Sequence, residues 1–222
     1  KRDGLKATGT TMREMLEALK DSFWFFISRI SVSVNGSLGS IFLGMRYSPE
    51  SVEMGLYSGA TKLSSAGEQM IPPLGDALYP SMVNKKDYRL FYRIVLRGGI
   101  LWFLACGLVE VLATPLCVLI LGGQYASAGG FLRILMVGVF FGYFSFMFGY
   151  PALSPIGKAT WANAAIMVSA IVNLTACAVL WLTGNITPLT VCVVFSSTNI
   201  TTFIVRFGAF MKFRNLAEQD AK

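Results

Sequence analysis

Long runs without a charged side chain constrain this chain more than any other feature. Crossing the hydrocarbon core of a membrane as a helix takes about 20 mainly apolar residues. Five runs reach that length with one charged residue at most. The uncharged runs are 134–157, 159–183 and 186–205, and the runs with one charge are 23–45, which contains Arg29, and 98–121, which contains Glu110. These runs predict membrane-spanning helices, and therefore an all-α, polytopic membrane protein.

A sixth segment, 55–83, has the length of a span but contains Lys62, Glu68 and Asp76. The distribution of basic residues favours its crossing the membrane. With six spans and a cytoplasmic N-terminus, fifteen of the 19 Lys and Arg residues fall in cytoplasmic segments, which is the usual bias of membrane proteins. Most of them lie in 1–20, 84–97 and 206–222. We therefore expect both termini in the cytoplasm, with 84–93 as a helix at the membrane surface.

The composition agrees with this membrane assignment. Hydrophobic residues make up 54% of the 222 residues and charged residues only 14%, which excludes an ordinary soluble enzyme. The net charge of +7 belongs to the cytoplasmic membrane face, so no nucleic-acid partner is expected. The chain has no His, and its four Cys lie in apolar runs without a CxxC pair. We predict no disulfide, no metal and no cofactor.

The 55–83 segment combines a polar face with an apolar one. Residues three or four apart share a helix face. A polar stripe follows that spacing at Ser58, Lys62, Ser65, Gln69 and Asp76. Such a stripe predicts the lining of an aqueous passage, and the alternatives are a helix on the membrane surface or a structural Lys62–Glu68 pair. Pro72 and Pro73 must interrupt the helix, as a hinge or as a static kink.

Other polar residues at membrane depth are candidates for binding. Arg29 either reaches the interface or faces a cavity, and Asn35 either permits close helix packing or acts as a ligand. Glu68 and Asp76 are the preferred candidates for coupling to an ion, because their helix is already polar. Glu110 is expected at the outer interface.

The stretch 57–82 resembles the polysaccharide-biosynthesis flippases, the Wzx-type O-antigen and capsule transporters of the MOP superfamily. The resemblance rests on Tyr57, Ser58, Ala60 and Lys62, followed by Pro73, Leu74, Ala77, Leu78, Tyr79 and Pro80. The stretch 121–128 is similar to an outer loop of that family, and Gly157-Lys158 is similar to an inner turn.

The resemblance implies a bacterial inner-membrane protein whose six helices form one lobe of a two-lobed transporter. The expected division is a cytoplasmic segment over 1–20, a six-helix lobe over 21–214 and a cytoplasmic tail over 215–222. The implied activity is not enzymatic: it is the flipping of a polyprenyl-pyrophosphate-linked oligosaccharide, by alternating access through a cationic cavity. The implied partners are that lipid-linked oligosaccharide, membrane lipids, a first six-helix lobe absent from this chain, and other polysaccharide assembly proteins. Cationic and polar side chains suit this cargo, and the candidates are Arg29, Ser58, Lys62, Ser65 and Gln69.

Three alternatives stay open at this stage. A multidrug or cation exporter of the same superfamily would be expected to have mainly acidic residues in its cavity. A membrane-embedded glycan-assembly enzyme would need a catalytic base or metal-binding carboxylates, and the chain has neither a His nor a DxD pair. A membrane scaffold without transport activity has little use for a polar stripe through a span.

Overall fold

The computed structural model describes residues 12–219, and all regular elements in that range are helical. They are α1 (Met12–Gly44), α2 (Val52–Glu68), α3 (Pro72–Lys85), α4 (Tyr88–Val111), α5 (Ala113–Leu121), α6 (Ala128–Met147), α7 (Tyr150–Leu153), α8 (Ala159–Leu182) and α9 (Pro188–Gln219), with a one-turn 3-10 helix at Gly123–Tyr125. The all-α prediction is confirmed over this range. Residues 1–11 of the predicted N-terminal segment and residues 220–222 of the predicted tail lie outside the described residues.

Within residues 12–219, four helical segments are long and apolar enough to cross a membrane, which makes this a multi-pass membrane protein by its candidate spans. They are Tyr88–Val111, Ala128–Leu153, Ala159–Leu182 and Pro188–Asn215. The predicted span over 159–183 agrees with α8 to within one residue. The predicted span over 23–45 lies within α1 except for its last residue, Met45. The helix α1 is long enough to cross but more polar, and it is not among the four.

The predicted span over 98–121 differs from the observed helices. The first helix starts ten residues earlier, at Tyr88, and ends at Val111, and the short α5 follows. Pro115 explains the break, because a proline ring clashes with the carbonyl four residues before it, here that of Val111. The prediction of one surface helix over 84–93 is also wrong, here without a proline. Lys86 adopts a left-handed conformation, with φ of 48°, and divides that stretch between α3 and α4.

The 55–83 segment forms two helices, α2 and α3, which confirms the predicted interruption at Pro72-Pro73. Pro72 has no N–H to donate to the Glu68 carbonyl, so the helix cannot continue through it. The backbone tightens here: the N–H of Met70 donates to the Gly67 carbonyl at 3.1 Å, and the N–H of Ile71 donates to that of Glu68 at 3.1 Å. Pro72 then occupies the first turn of α3, where a missing donor costs nothing.

The helix α6 lies at the centre of the bundle and contacts α2, α4, α5 and α9, while α8 packs between α1 and α9. Close approach of α6 and α9 depends on Gly138, where a Cβ atom would lie 3.0 Å from the Ser196 Cα. Aromatic side chains fill the end of the bundle near α7, with the Phe148 ring packed against Phe91 and Phe210. This packing places the polar faces of α6, α8 and α9 opposite α1 and the break between α2 and α3.

Candidate functional site

A cavity of about 430 Å³, whose wall combines apolar surface with nine polar side chains, lies between α1, the α2–α3 break, α6, α8 and α9. Three of the four candidate spans supply much of its wall, at positions well inside their ends. The polar side chains that line it are Asn35, Glu68, Ser145, Ser169, Asn173, Thr198, Asn199, Thr202 and Arg206. Polar groups at this depth need partners within the protein, because hydrocarbon offers none.

Asn35 of α1 is held by two residues of α8. Its side-chain amide donates to the Ser169 Oγ at 3.1 Å, and the Asn173 amide donates back to the Asn35 Oδ1 at 2.8 Å. The Cys177 thiol donates in turn to the Asn173 Oδ1 at 3.4 Å. The network joins two helices that are more than 130 residues apart in sequence. Asn35 therefore both packs against α8 and lines the cavity, so neither sequence-based alternative is excluded.

Arg206 is the most deeply placed charge in the cavity wall, with 8% of its surface exposed. Its Nη1 donates to the Ser145 carbonyl at 2.8 Å, and its Nη2 donates to the Ala162 carbonyl at 3.2 Å. The guanidinium thus joins α9 to α6 and α8. Gly149 leaves room for it, since a Cβ atom there would lie 2.9 Å from Nη1.

Among the residues that the structure describes, no neighbouring carboxylate balances the charge of Arg206. Its hydrogen bonds go to carbonyl and hydroxyl oxygens, and none of the described residues forms an ion pair with it. A guanidinium keeps its charge under all physiological conditions. The cavity wall therefore presents a fixed positive charge, which attracts an anion.

Glu68 supplies a negative charge to the same cavity. It is the last residue of α2 and is partly buried at the break, where its Oε1 accepts a long hydrogen bond of 3.5 Å from the Asn199 amide. Asn199 and Arg206 are seven residues apart on α9, so they share a face about 10 Å apart along the helix. The Glu68 carboxylate and the Arg206 guanidinium thus line the same cavity at different positions along α9.

A second cavity of about 630 Å³ adjoins the first and shares Arg206 and Pro72 with it. Arg29, Asp76, Tyr79 and Asn163 are among the residues that line it. The Tyr150 hydroxyl donates to the Asn163 Oδ1, which joins α7 to α8 beside this space. Arg206 lies where the two cavities meet, so one continuous set of polar residues extends from Glu68 past Arg206 to Arg29 and Asp76.

Comparison with protein families gives a match over the N-terminal part of the chain. The family model described as polysaccharide biosynthesis protein matches residues 5–86. Over that range the chain matches the polysaccharide biosynthesis family. The matched residues include α1, α2 and α3, which supply Asn35 and Glu68 to the cavity and Arg29 and Asp76 to its neighbour. No curated protein and no solved structure matches the chain.

The site residues predicted from the sequence do not lie in one cavity. Arg29, Glu68 and Asp76 line the two joined cavities. Ser58 and Lys62 line a different cavity of about 290 Å³, together with Pro49 and Tyr125 of the loops after α1 and α5. Ser65 is partly buried and Gln69 is exposed, and neither lines one of these spaces. The predicted stripe is therefore divided, because α2 ends at Glu68 and Asp76 belongs to α3.

Sequence reasoning missed Arg206 by assigning it to the cytoplasmic segment that follows the predicted span 186–205. The helix continues through this position, and the aromatic residues on both sides of it, Phe203 and Phe207, belong to the bundle. The sequence did contain a signal for Arg206. Asn199, Thr202 and Arg206 are three and four residues apart, which places three polar side chains on one helix face. The same holds for Ser169 and Asn173 on α8.

Proposed function

We propose that this protein moves a polyprenyl-pyrophosphate-linked oligosaccharide across the bacterial inner membrane for the synthesis of a surface polysaccharide. The observation that carries the proposal is the unbalanced guanidinium of Arg206 at the junction of two polar cavities among candidate membrane spans. The polysaccharide biosynthesis match over residues 5–86 supplies the class of cargo.

The chemistry of the cavities suits the proposed cargo. A pyrophosphate is a dense anion, and an Arg side chain can bind phosphate oxygens with two parallel N–H donors. Arg29 and Arg206 both line the second cavity, so an anion there would be within reach of two cations. The amide and hydroxyl groups of Asn35, Ser169 and Asn199 are of the type that hydrogen-bonds sugar hydroxyls.

The proposed architecture is a six-helix lobe of a two-lobed transporter of the Wzx type. In this arrangement α1 and the bent pair α2–α3 cross the membrane in addition to the four candidate spans, and both termini are cytoplasmic. A second lobe would complete the cavity, and its opening to either side in turn would give alternating access. Other polysaccharide assembly proteins are expected to supply or receive the cargo.

Glu68 and Asp76 are the proposed sites of coupling to a proton or sodium gradient. A carboxylate at the α2–α3 break can bind a cation when the cavity is open to one side, and its charge then influences the equilibrium between the two states. The same carboxylate favours a second candidate function, that of a cation exporter, in which Glu68 would bind the cargo itself.

The two functions are separated by a transport assay in proteoliposomes that contain the protein. A fluorescent lipid-linked oligosaccharide in one leaflet should become inaccessible to a glycosidase added outside, in a time-dependent manner. Arg206→Gln should slow this by about tenfold or more, since a lost charged hydrogen bond costs roughly 1.5–3 kcal/mol. Arg206→Lys, which keeps the charge, should retain part of the rate. Movement of organic cations without movement of the oligosaccharide would overturn the proposal.

A further inference from the structure

Three arginines form a ladder on the outer face of α4. Arg89, Arg93 and Arg97 are four residues apart, so they lie above one another on the helix, and all three are exposed. The opposite side of the helix is buried, with Tyr88, Phe91 and Val95 in the core. The ladder therefore points away from the protein.

These three arginines have no partner among the residues that the structure describes. No hydrogen bond or ion pair joins Arg89, Arg93 or Arg97 to another of the described residues. Asp87, two residues before Arg89, is the N-cap of α4. Its carboxylate accepts a hydrogen bond of 2.9 Å from the Leu90 N–H. Three like charges thus share a face, and none of the described residues supplies a counter-ion to them.

The same face continues as a row of exposed leucines. Leu101, Leu104 and Leu108 follow the ladder at helical spacing, with 70%, 61% and 61% of their surfaces exposed. Tyr88–Val111 is also the least buried of the four candidate spans. A ligand complementary to this face must be anionic at one end and apolar along the rest. Neither a free phosphate ion nor an acidic protein surface has that form, whereas an anionic phospholipid does.

The ladder extends deeper than one layer of headgroups. Arg97 precedes Gly98, which packs against Tyr143, and Tyr143 lies ten residues before the end of the candidate span Ala128–Leu153. Ten helical residues correspond to about 15 Å, so the backbone of Arg97 lies about 15 Å from the end of that span. Each headgroup layer is only roughly 5–8 Å thick. The Arg97 guanidinium must therefore extend back toward the interface or draw a phosphate inward.

We infer that the exposed face of α4 is a binding site for an anionic phospholipid, whose phosphate pairs with Arg93 and Arg97 and whose acyl chains lie along Leu101, Leu104 and Leu108. A guanidinium binds phosphate oxygens through paired hydrogen bonds that are shorter and stronger than neutral ones. The site depends only on α4 as a candidate span, and not on the transported cargo.

The test is lipid titration of the purified protein in a non-ionic detergent, with bound lipid counted by native mass spectrometry. Phosphatidylglycerol should bind at least about tenfold more tightly than phosphatidylcholine, as expected for one or two charge-assisted contacts. Arg97→Gln should weaken phosphatidylglycerol binding about fivefold or more, the triple change Arg89→Gln, Arg93→Gln and Arg97→Gln should abolish the preference, and Arg97→Lys should keep most of it. Arg133→Gln is the matched control, because it removes one exposed arginine charge on α6, outside the α4 face, and should leave binding unchanged.

Three results would each overturn the inference. Equal binding of the two lipids would exclude a headgroup site. Equal losses in the Arg97 and Arg133 variants would show an effect of net charge alone. Competition by glycerol phosphate as effective as that of the whole lipid would show that the leucine row takes no part.

Discussion

Arg206 and Lys62 show how differently two basic residues of the same chain can be placed. Arg206 is buried among α6, α8 and α9 and is held by backbone carbonyls, so its charge is fixed in position beside the cavities. Lys62 is exposed near the loops after α1 and α5, where solvent can screen its charge. A fixed charge in a poorly screened environment acts more strongly on a bound anion than a screened one.

Lys62→Ala should therefore reduce export of the lipid-linked glycan without lowering the protein level, and by less than Arg206→Gln does. The expected loss is about twofold to fivefold, because an exposed ionic contact contributes roughly 0.2–1 kcal/mol. Export is measured as surface glycan in a strain that depends on this protein, with protein level measured by immunoblot. Lys62→Arg serves as the control that keeps the charge. Export from Lys62→Ala at the wild-type rate would remove Lys62 from the proposed site.

At the scale of elements, the break between α2 and α3 connects the helix that contains Glu68 to the helix that contains Asp76. The turn from Gln69 to Ile71 has tightened hydrogen bonds, and Pro72 cannot restore the regular pattern. Gly75, in the first turn of α3, packs directly against the Phe146 ring of α6. A change in the angle between α2 and α3 would therefore change the shape of both cavities.

Replacing Pro72 and Pro73 with Ala should allow one continuous helix and slow translocation severalfold. The change restores the donor to the Glu68 carbonyl, and a Pro inside a helix costs about 3 kcal/mol relative to Ala. The distance between spin labels at positions 55 and 83 should rise toward that of a straight helix, roughly 42 Å. Pro80→Ala, which removes a proline within α3, is the matched control and should affect neither readout. Unchanged translocation in a straightened variant would show that the break is a static kink.

At the scale of the whole molecule, the proposed topology places the turns of the bundle on alternate sides of the membrane. The connections α5–α6 and α8–α9 lie at one end of the bundle, where Arg46 of the α1–α2 loop donates to the Gly184 carbonyl. The connections α3–α4 and α7–α8 lie at the other end, where the Tyr88 hydroxyl donates to the Ala152 carbonyl at 3.0 Å. The long helices between these ends are the candidate spans.

Single cysteines should test this arrangement in a background without the four native ones. In whole cells, Cys at Gln124 or Asn185 should react with a membrane-impermeant maleimide, whereas Cys at Asn84 or Lys158 should react only after permeabilisation. The reason is that in the proposed topology the candidate spans α4, α6, α8 and α9 each cross the membrane once, with their ends on opposite faces. Labelling of Gln124 and Lys158 from the same side would contradict the crossing of α6.

The sequence determined the helices themselves. Long uncharged runs predicted α6, α8 and α9, because in lipid a single segment can hydrogen-bond all its backbone N–H and C=O groups only as a helix. Pro72 and Pro115 determined two of the breaks, since their effect on a helix is local, although the break before Pro115 was not predicted. The division of 84–93 between α3 and α4 depends on the left-handed conformation of Lys86, which few side chains adopt and which no pattern in the sequence indicates.

Only the tertiary structure decided which polar groups meet. Glu68 and Asn199 are 131 residues apart, and Asn35 and Asn173 are 138 residues apart, yet each pair is joined across the cavity wall. Helical periodicity gives the face on which a residue lies, but not the rotation of that helix against its neighbours, which depends on close contacts such as that of Gly138 with Ser196. For this reason the sequence placed Arg206 in a cytoplasmic segment, whereas the packing of α6, α8 and α9 buried it.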